Sequence, residues 1–236
     1  VTLLHIETAT RVCSIALSEG NRIVALRESS EKNIHSSAIT IFIQEVLKEA
    51  GIDFKELDAI CVSKGPGSYT GLRIGVSTAK GLCFALDKPL IAVGTLEALA
   101  WGAQRQIPVL ANASGTKVLI CPMIDARRME VYYALYDLDL NAIRETRAEI
   151  IHLGSFDKLF QDHEIWFTGD GAEKFCDLFN DCPNARFTGN PMPSATYLVE
   201  PAEKKFLAGQ FEDTAYFEPF YLKDFIPGIP KVKGLH

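Results

Sequence analysis

"SKGPGSYTGLRIGVSTAKG", Ser63 to Gly81, is a glycine-rich turn that runs into a helix. Such junctions often hold a phosphate on the free amides of the helix start. The spacing here fits neither of the two common phosphate patterns. Counted from Gly65, the G-x-x-x-x-G-K-[ST] register puts Thr70 where its second glycine belongs. Gly65, Gly67 and Gly71 follow G-x-G-x-x-x-G rather than the dinucleotide spacing, and Pro66 offers no amide. The helix itself, about Thr70 to Leu86, carries Gly71, Gly75 and Ala79 four residues apart on one stripe. A mid-helix glycine costs about 1 kcal/mol relative to alanine. The stripe therefore calls for close packing, either on this chain's own sheet or first helix, or on another chain.

The elements around it alternate strand and helix. "TLLHIET" reads as a strand, and "CSIALSEGNRIVALRE" as a hairpin turning at Gly20 and Asn21. "HSSAITIFIQEVLKEAG" is a helix stopped by Gly51. "AICVSKG" and "PLIAVG" are short buried strands flanking the glycine-rich helix, and another helix starts at Thr95. In the first helix Ile39, Phe42, Ile43, Val46, Leu47 and Ala50 form the stripe expected to face the sheet. Ile34, Ala38 and Ile41 form a second stripe on roughly the opposite side. Two apolar faces predict cover on both sides, the second cover being the glycine-striped helix, a partner protein, or both; a patch on these two helices would suit a partner.

The second half starts the pattern again. "VLICPMIDARRMEVYYALYDLD" is a strand, turn and hairpin arm, "SFDKLF" a short helix, "EIWFTGDGA" a strand ending in a Gly-Asp-Gly turn, and "AEKFCDLF" a helix. A last helix spans Ser194 to Ala208, broken or strained at Pro201. Laid over one another, Ile6-Glu7 falls on Ile124-Asp125 and Ala16-Leu17 on Ala134-Leu135. The reading is an α/β chain of two lobes, 1–102 and 103–236, each a mixed β-β-β-α-β-α unit like ribonuclease H, with the tail 218–236 returning to the first lobe. Glu7 and Asp125 end the first strand of each lobe, where ligands of α/β sheets collect. Either they face a nucleotide cleft, together with Gly169, Asp170 and Gly171, or each caps its own turn.

Composition narrows the functions. With 236 residues, 47% hydrophobic and 23% charged, the chain reads as globular, without a membrane span or signal peptide. A net charge of −6 opposes gripping nucleic acid alone. Six cysteines without a C-x-x-C pair read as reduced thiols of a cytoplasmic protein.

"GPGSYTGLRIGVSTAKGL", with "LHIETAT" before it and "DARRMEVYYALY" and "TGDGA" after it, is similar to the TsaB (YeaZ) family over nearly the whole chain. That resemblance implies the two-lobed fold of actin, Hsp70 and sugar kinases. It implies a non-catalytic partner subunit in making threonylcarbamoyladenosine on tRNA, binding the related transferase TsaD, with the ATPase TsaE in the same complex. It places the interface on the first two helices, here Ile34, His35, Ala38, Ile41, Tyr69, Thr70, Gly71, Arg73, Ile74, Gly75, Ser77, Thr78 and Ala79. It also implies a vestigial cleft at Glu7, Asp125, Gly169, Asp170 and Gly171, and tRNA contact only through the complex. Alone, the chain is expected to form a homodimer. The catalytic relative's H-x-x-x-H is broken, since Ile39 stands where the mate of His35 would be. No catalytic residue, metal site or cofactor is expected. The alternative is a kinase-like ATPase or metallopeptidase acting alone. Gly75→Leu is expected to weaken the partner complex without unfolding the lobe.

Overall fold

The computed structural model describes residues 1–31, 35–107, 117–189 and 191–223. Ile34 of the expected interface lies outside them, as does the end of the tail. The first sheet is built from β1 (Thr2–Glu7), β2 (Cys13–Glu19), β3 (Arg22–Ser29), β4 (Ala59–Ser63) and β5 (Leu90–Val93), with α1 (His35–Ala50), α2 (Tyr69–Leu86) and α3 (Thr95–Gln104) between and after them. The second contains β6 (Lys117–Asp125), β7 (Glu130–Tyr136), β8 (Ala142–Ile150), β9 (His163–Thr168) and β10 (Ala185–Phe187), with α4 (Asp157–Phe160) and α5 (Val199–Leu207). Their strand orders, β3-β2-β1-β4-β5 and β10-β9-β6-β7-β8, are the same arrangement read from opposite edges. In each, the first two pairings are antiparallel and the later ones parallel. The duplication legible in element order is thus exact in topology.

Four local differences from the sequence-based expectation have physical reasons. Residues after the Gly-Asp-Gly turn form only a 3-10 turn, Ala172–Phe175, rather than a full helix. Pro201 does not break the last helix, because it sits in the first turn of α5, where no intrahelical donor is lost. The sequence reading assigns no stretch to β8 or β10. One is a charged sheet edge with exposed and half-buried residues alternating, and the other has three residues. Neither carries a long apolar run.

The first sheet packs one face on α1 and α2, burying Leu4, Ile6, Ile15, Leu17, Ile39, Ile43, Val46, Leu47, Val76, Ala79 and Cys83. The second buries an aromatic cluster of Phe156, Phe160, Phe167, Phe175 and Phe179. The opposite faces are covered by exchange. α3 follows the first sheet, yet its Leu96, Leu99, Ala100 and Ala103 pack on Val118, Ile120, Ile124 and Ala134 of the second. α5 follows the second sheet, yet Ala202 and the preceding Leu198 pack on Leu3, Cys61, Ile91 and Val93 of the first. The return to the first lobe therefore begins near Ser194, earlier than Glu218; there the Ala195 amide donates to Ser14 Oγ at 2.8 Å. The exchanged helices also touch each other. Lys205 pairs with Glu97 at 3.5 Å, Arg105 with Glu200, and Lys204 lies 4.2 Å from the Trp101 ring centre. No helix among the described residues is long and apolar enough to cross a membrane.

Candidate functional site

The glycine-rich segment packs against the β1–β2 turn of its own lobe. A Cβ on Gly67 would overlap Ala9 O, one on Gly71 would overlap Thr8 O, and one on Gly75 would overlap Thr8 Oγ1. The close approach carries hydrogen bonds: Ser68 N donates to Ala9 O at 2.6 Å, and Thr8 Oγ1 donates to Gly71 O at 2.9 Å. Ala79, next on the stripe, is fully buried in the lobe's core. The stripe Gly71-Gly75-Ala79 thus has its packing reason within the chain, which corrects the expectation that these three residues meet a partner. His35 acts in the same way. Its Nε2–H lies 2.9 Å from Thr10 O and 3.2 Å from Val12 O, tying the start of α1 to the turn.

Several donors of the turns are already engaged within the chain. Glu7 Oε1 accepts from the Ala9 amide at 2.6 Å, and Thr10 Oγ1 from the Val12 amide at 3.4 Å. In the second lobe Asp125 Oδ1 accepts from the Arg127 amide at 2.6 Å, while the Asp125 amide donates to Asp170 Oδ1 at 3.1 Å. Lys174 Nζ fills the β6–β7 turn, donating to Asp125 Oδ1 at 2.5 Å and to Arg128 O at 2.6 Å. Gly169 and Gly171 allow the turn of Asp170 to lie directly on the β6 backbone, where a Cβ on Gly169 would overlap Met123 O and one on Gly171 would fall 2.8 Å from Ile124 C. The two carboxylates that end the first strands therefore cap their own turns. Among the described residues no group of three His, Cys, Asp or Glu is placed to hold a metal.

Glu7 is buried with Oε2 unpartnered, and burial pushes its carboxyl up to about 7, against the opposing pull of the Ala9 amide. The sign follows from proton counts. Between 4.5 and about 7 the unfolded chain ionises while the folded chain holds the proton, so stability falls as pH rises through that window. The span is worth about 3 kcal/mol in all. Glu7→Gln keeps an acceptor for Ala9 and removes the titration. Urea melts between pH 5 and 8 should show a flatter stability profile for the variant than for wild type. Parallel profiles would refute the assignment.

The remaining expected interface residues divide by exposure. Thr70, Arg73 and Ser77 are exposed on α2, Ile74 and Thr78 are half-buried, and Tyr69 stacks on Tyr221 of the tail at 4.9 Å. Arg73 lies over the Tyr69 ring, with Nη1 donating to its hydroxyl at 3.2 Å. On α1, Ala38 is buried while Ile41 is 52% exposed, so the second apolar stripe reduces to Ile41 among the described residues. Three residues were missed. Gly81, Phe84 and Ala85 continue the exposed side of α2 beyond Ser77, Phe84 being 88% exposed. Their spacing from Ser77 was the available signal, hidden because "GLCFAL" reads as one apolar run.

A family model described as TsaD, tRNA N6-adenosine threonylcarbamoyltransferase, matches residues 27–224. A Bacillus subtilis protein named "tRNA threonylcarbamoyladenosine biosynthesis protein TsaB" is 38% identical over 229 residues, covering 94% of each chain. A crystal structure from Pseudomonas aeruginosa, described as an uncharacterized protein with similarity to peptidase YeaZ, superposes with a TM-score of 0.74 at 25% identity, covering 94% of this chain and 99% of its own. For fold alone, the activator of 2-hydroxyisocaproyl-CoA dehydratase from Clostridium difficile superposes with a TM-score of 0.50 at 8% identity, covering 89% and 96%. The two five-stranded lobes share the fold of these two structures. With its full-length likeness to TsaB proteins and the glycine-rich segment folded onto its own first turn, the chain belongs to the TsaB (YeaZ) family.

Proposed function

We propose that this chain is the non-catalytic partner subunit in tRNA threonylcarbamoyladenosine formation, docking on a TsaD-like transferase and activating it. The observation that carries this is the outer side of α2. Thr70, Arg73, Ser77, Gly81, Phe84 and Ala85 share it, and only one of them is charged. Gly81 has nothing within 4 Å of where its Cβ would be. Unlike Gly71 and Gly75, it lowers helix stability by about 1 kcal/mol with no contact in its own chain to offset this. Beside it stands the 88% exposed Phe84, and α1 adds Ile41. A charge-poor side with a bare helix backbone and a projecting aromatic suits a closely packed helical partner.

The TsaD match spans both α1 and α2, which supports a transferase of the same ancestry presenting an equivalent helix pair to this one. In the absence of that partner, the same side pairs two copies of this chain, and a TsaE-like ATPase completes the assembly. The engaged turn amides and the capped carboxylates support leaving the chemistry to the partner. The test is to assay tRNA modification by the transferase with and without this chain, alongside light scattering of the mixture. Modification should require both proteins, and a one-to-one complex should form. Turnover by this chain alone, or two proteins that scatter independently, overturns the proposal.

A further inference from the structure

We propose that Arg11 and the Arg127–Arg128 turn form a surface at the mouth of the cleft that takes the phosphate backbone of an RNA. The inference rests on the tRNA-modification reading above and adds a direct contact to it. Arg127 and Arg128 occupy consecutive positions with φ of 73° and 54°. Left-handed backbone of this kind favours glycine or asparagine, and two arginines in succession hold it at a conformational penalty. Their side chains do not account for that penalty within the chain. Both residues are exposed, and neither guanidinium makes a hydrogen bond or ion pair among the described residues; the same holds for Arg11. The turn's amide and carbonyl are held by Asp125 and Lys174, so the backbone is fixed while the guanidiniums project free.

Arg11 and the Arg127–Arg128 turn meet at Asp170, whose Oδ1 accepts from the Asp125 amide at the base of that turn. Asp170 feels the charges of Arg11 from the first lobe and of Lys174 from the second, and Lys174 is bonded to Arg128 O. Of the nearby acids, Asp125 is engaged by Lys174, Glu130 by Lys223 of the tail, and the partly buried Asp170 accepts from the Asp125 amide. On a chain of net charge −6, this leaves a local excess of positive charge. The Ala126 and Arg127 amides of the turn are already engaged, by Glu130 O and Asp125 Oδ1. Long, untethered guanidiniums suit a chain of phosphates. The surface also borders the proposed docking side. Arg11 lies between Thr10 and Val12, whose carbonyls hold His35 at the first residue of α1. Arg11 therefore stands beside the start of α1, next to the proposed docking side.

The test measures fluorescence anisotropy of a labelled unmodified tRNA transcript with the complex, and with the full chain alone, across a salt series. The triple variant Arg11→Ala, Arg127→Asn, Arg128→Gly should raise Kd about tenfold or more at 0.1 M salt. The slope of log Kd against log salt should fall by about 2. Its melting temperature should match or exceed wild type, because the turn residues now suit the backbone. Partner affinity by light scattering should not change. An unchanged tRNA Kd and slope overturn the proposal, as does a variant that loses partner affinity instead, which would make the surface a contact for an acidic protein. If wild type forms no complex, the partner reading fails alone, and the arm with chain and tRNA still decides the arginine surface.

Discussion

Gly75→Leu is expected to destabilise the first lobe strongly rather than to trim a surface. A Cβ at this position overlaps Thr8 Oγ1, and moving the helix away would also lift Gly71, one turn earlier, off Thr8. Thr8 Oγ1 also donates to Gly71 O at 2.9 Å, and a shift that relieved the clash would break this buried bond. Overpacking of about 1–3 kcal/mol adds to about 1 kcal/mol for the lost hydrogen bond. Against a total stability of about 5–15 kcal/mol, the variant should be half-unfolded at far lower urea, or fail to accumulate as folded protein. Gly81→Leu is the matched control, since its Cβ meets open space in the same helix. It should melt at or above wild type, because a glycine is removed from a helix interior. Equal stability of the Gly75 and Gly81 variants would refute the packing assigned to the stripe.

Phe84→Glu is expected to abolish tight binding to the transferase while leaving the fold intact. The ring is 88% exposed in the isolated chain, so its loss removes little from the core. In a helix-to-helix contact over Gly81 it becomes the buried aromatic anchor. Truncating such anchors costs about 2–4 kcal/mol, and burying a carboxylate in its place adds to that. Affinity should drop about 100-fold or more by calorimetry, with urea melts superimposable on wild type. Binding within a factor of two of wild type would show that this side of α2 does not meet the partner.

The backbone plan was readable because strand and helix periods differ and the punctuation is chemical. The hairpin turns at Gly20, with φ of 57°, and α1 stops at Gly51, with φ of 71°, as their residues predict. Periodicity also gave the stripe of Gly71, Gly75 and Ala79, but spacing identifies a side of a helix and not its neighbour. That neighbour is Thr8, 63 residues earlier than Gly71, and no local pattern announces it. The same limit hid Gly81 and Phe84, which look like core letters until the opposite side of α2 is seen to be the buried one. The resemblance places His35 on the interface, and its ties to Thr10 O and Val12 O emerge only when the β1–β2 turn is brought to it. The sheet that each helix covers was beyond reach for the same reason, since an apolar stripe fits either sheet equally well.

The crossing of α3 and α5 carries a consequence for descent. Although two halves repeat one topology, each borrows its lid from the other: Leu99 and Ala103 seal the later sheet, and Leu198 and Ala202 the earlier one. A break in the connection after α3 would strand both halves with a bare greasy flank. Halves that cover one another in this way can be passed on only as one chain.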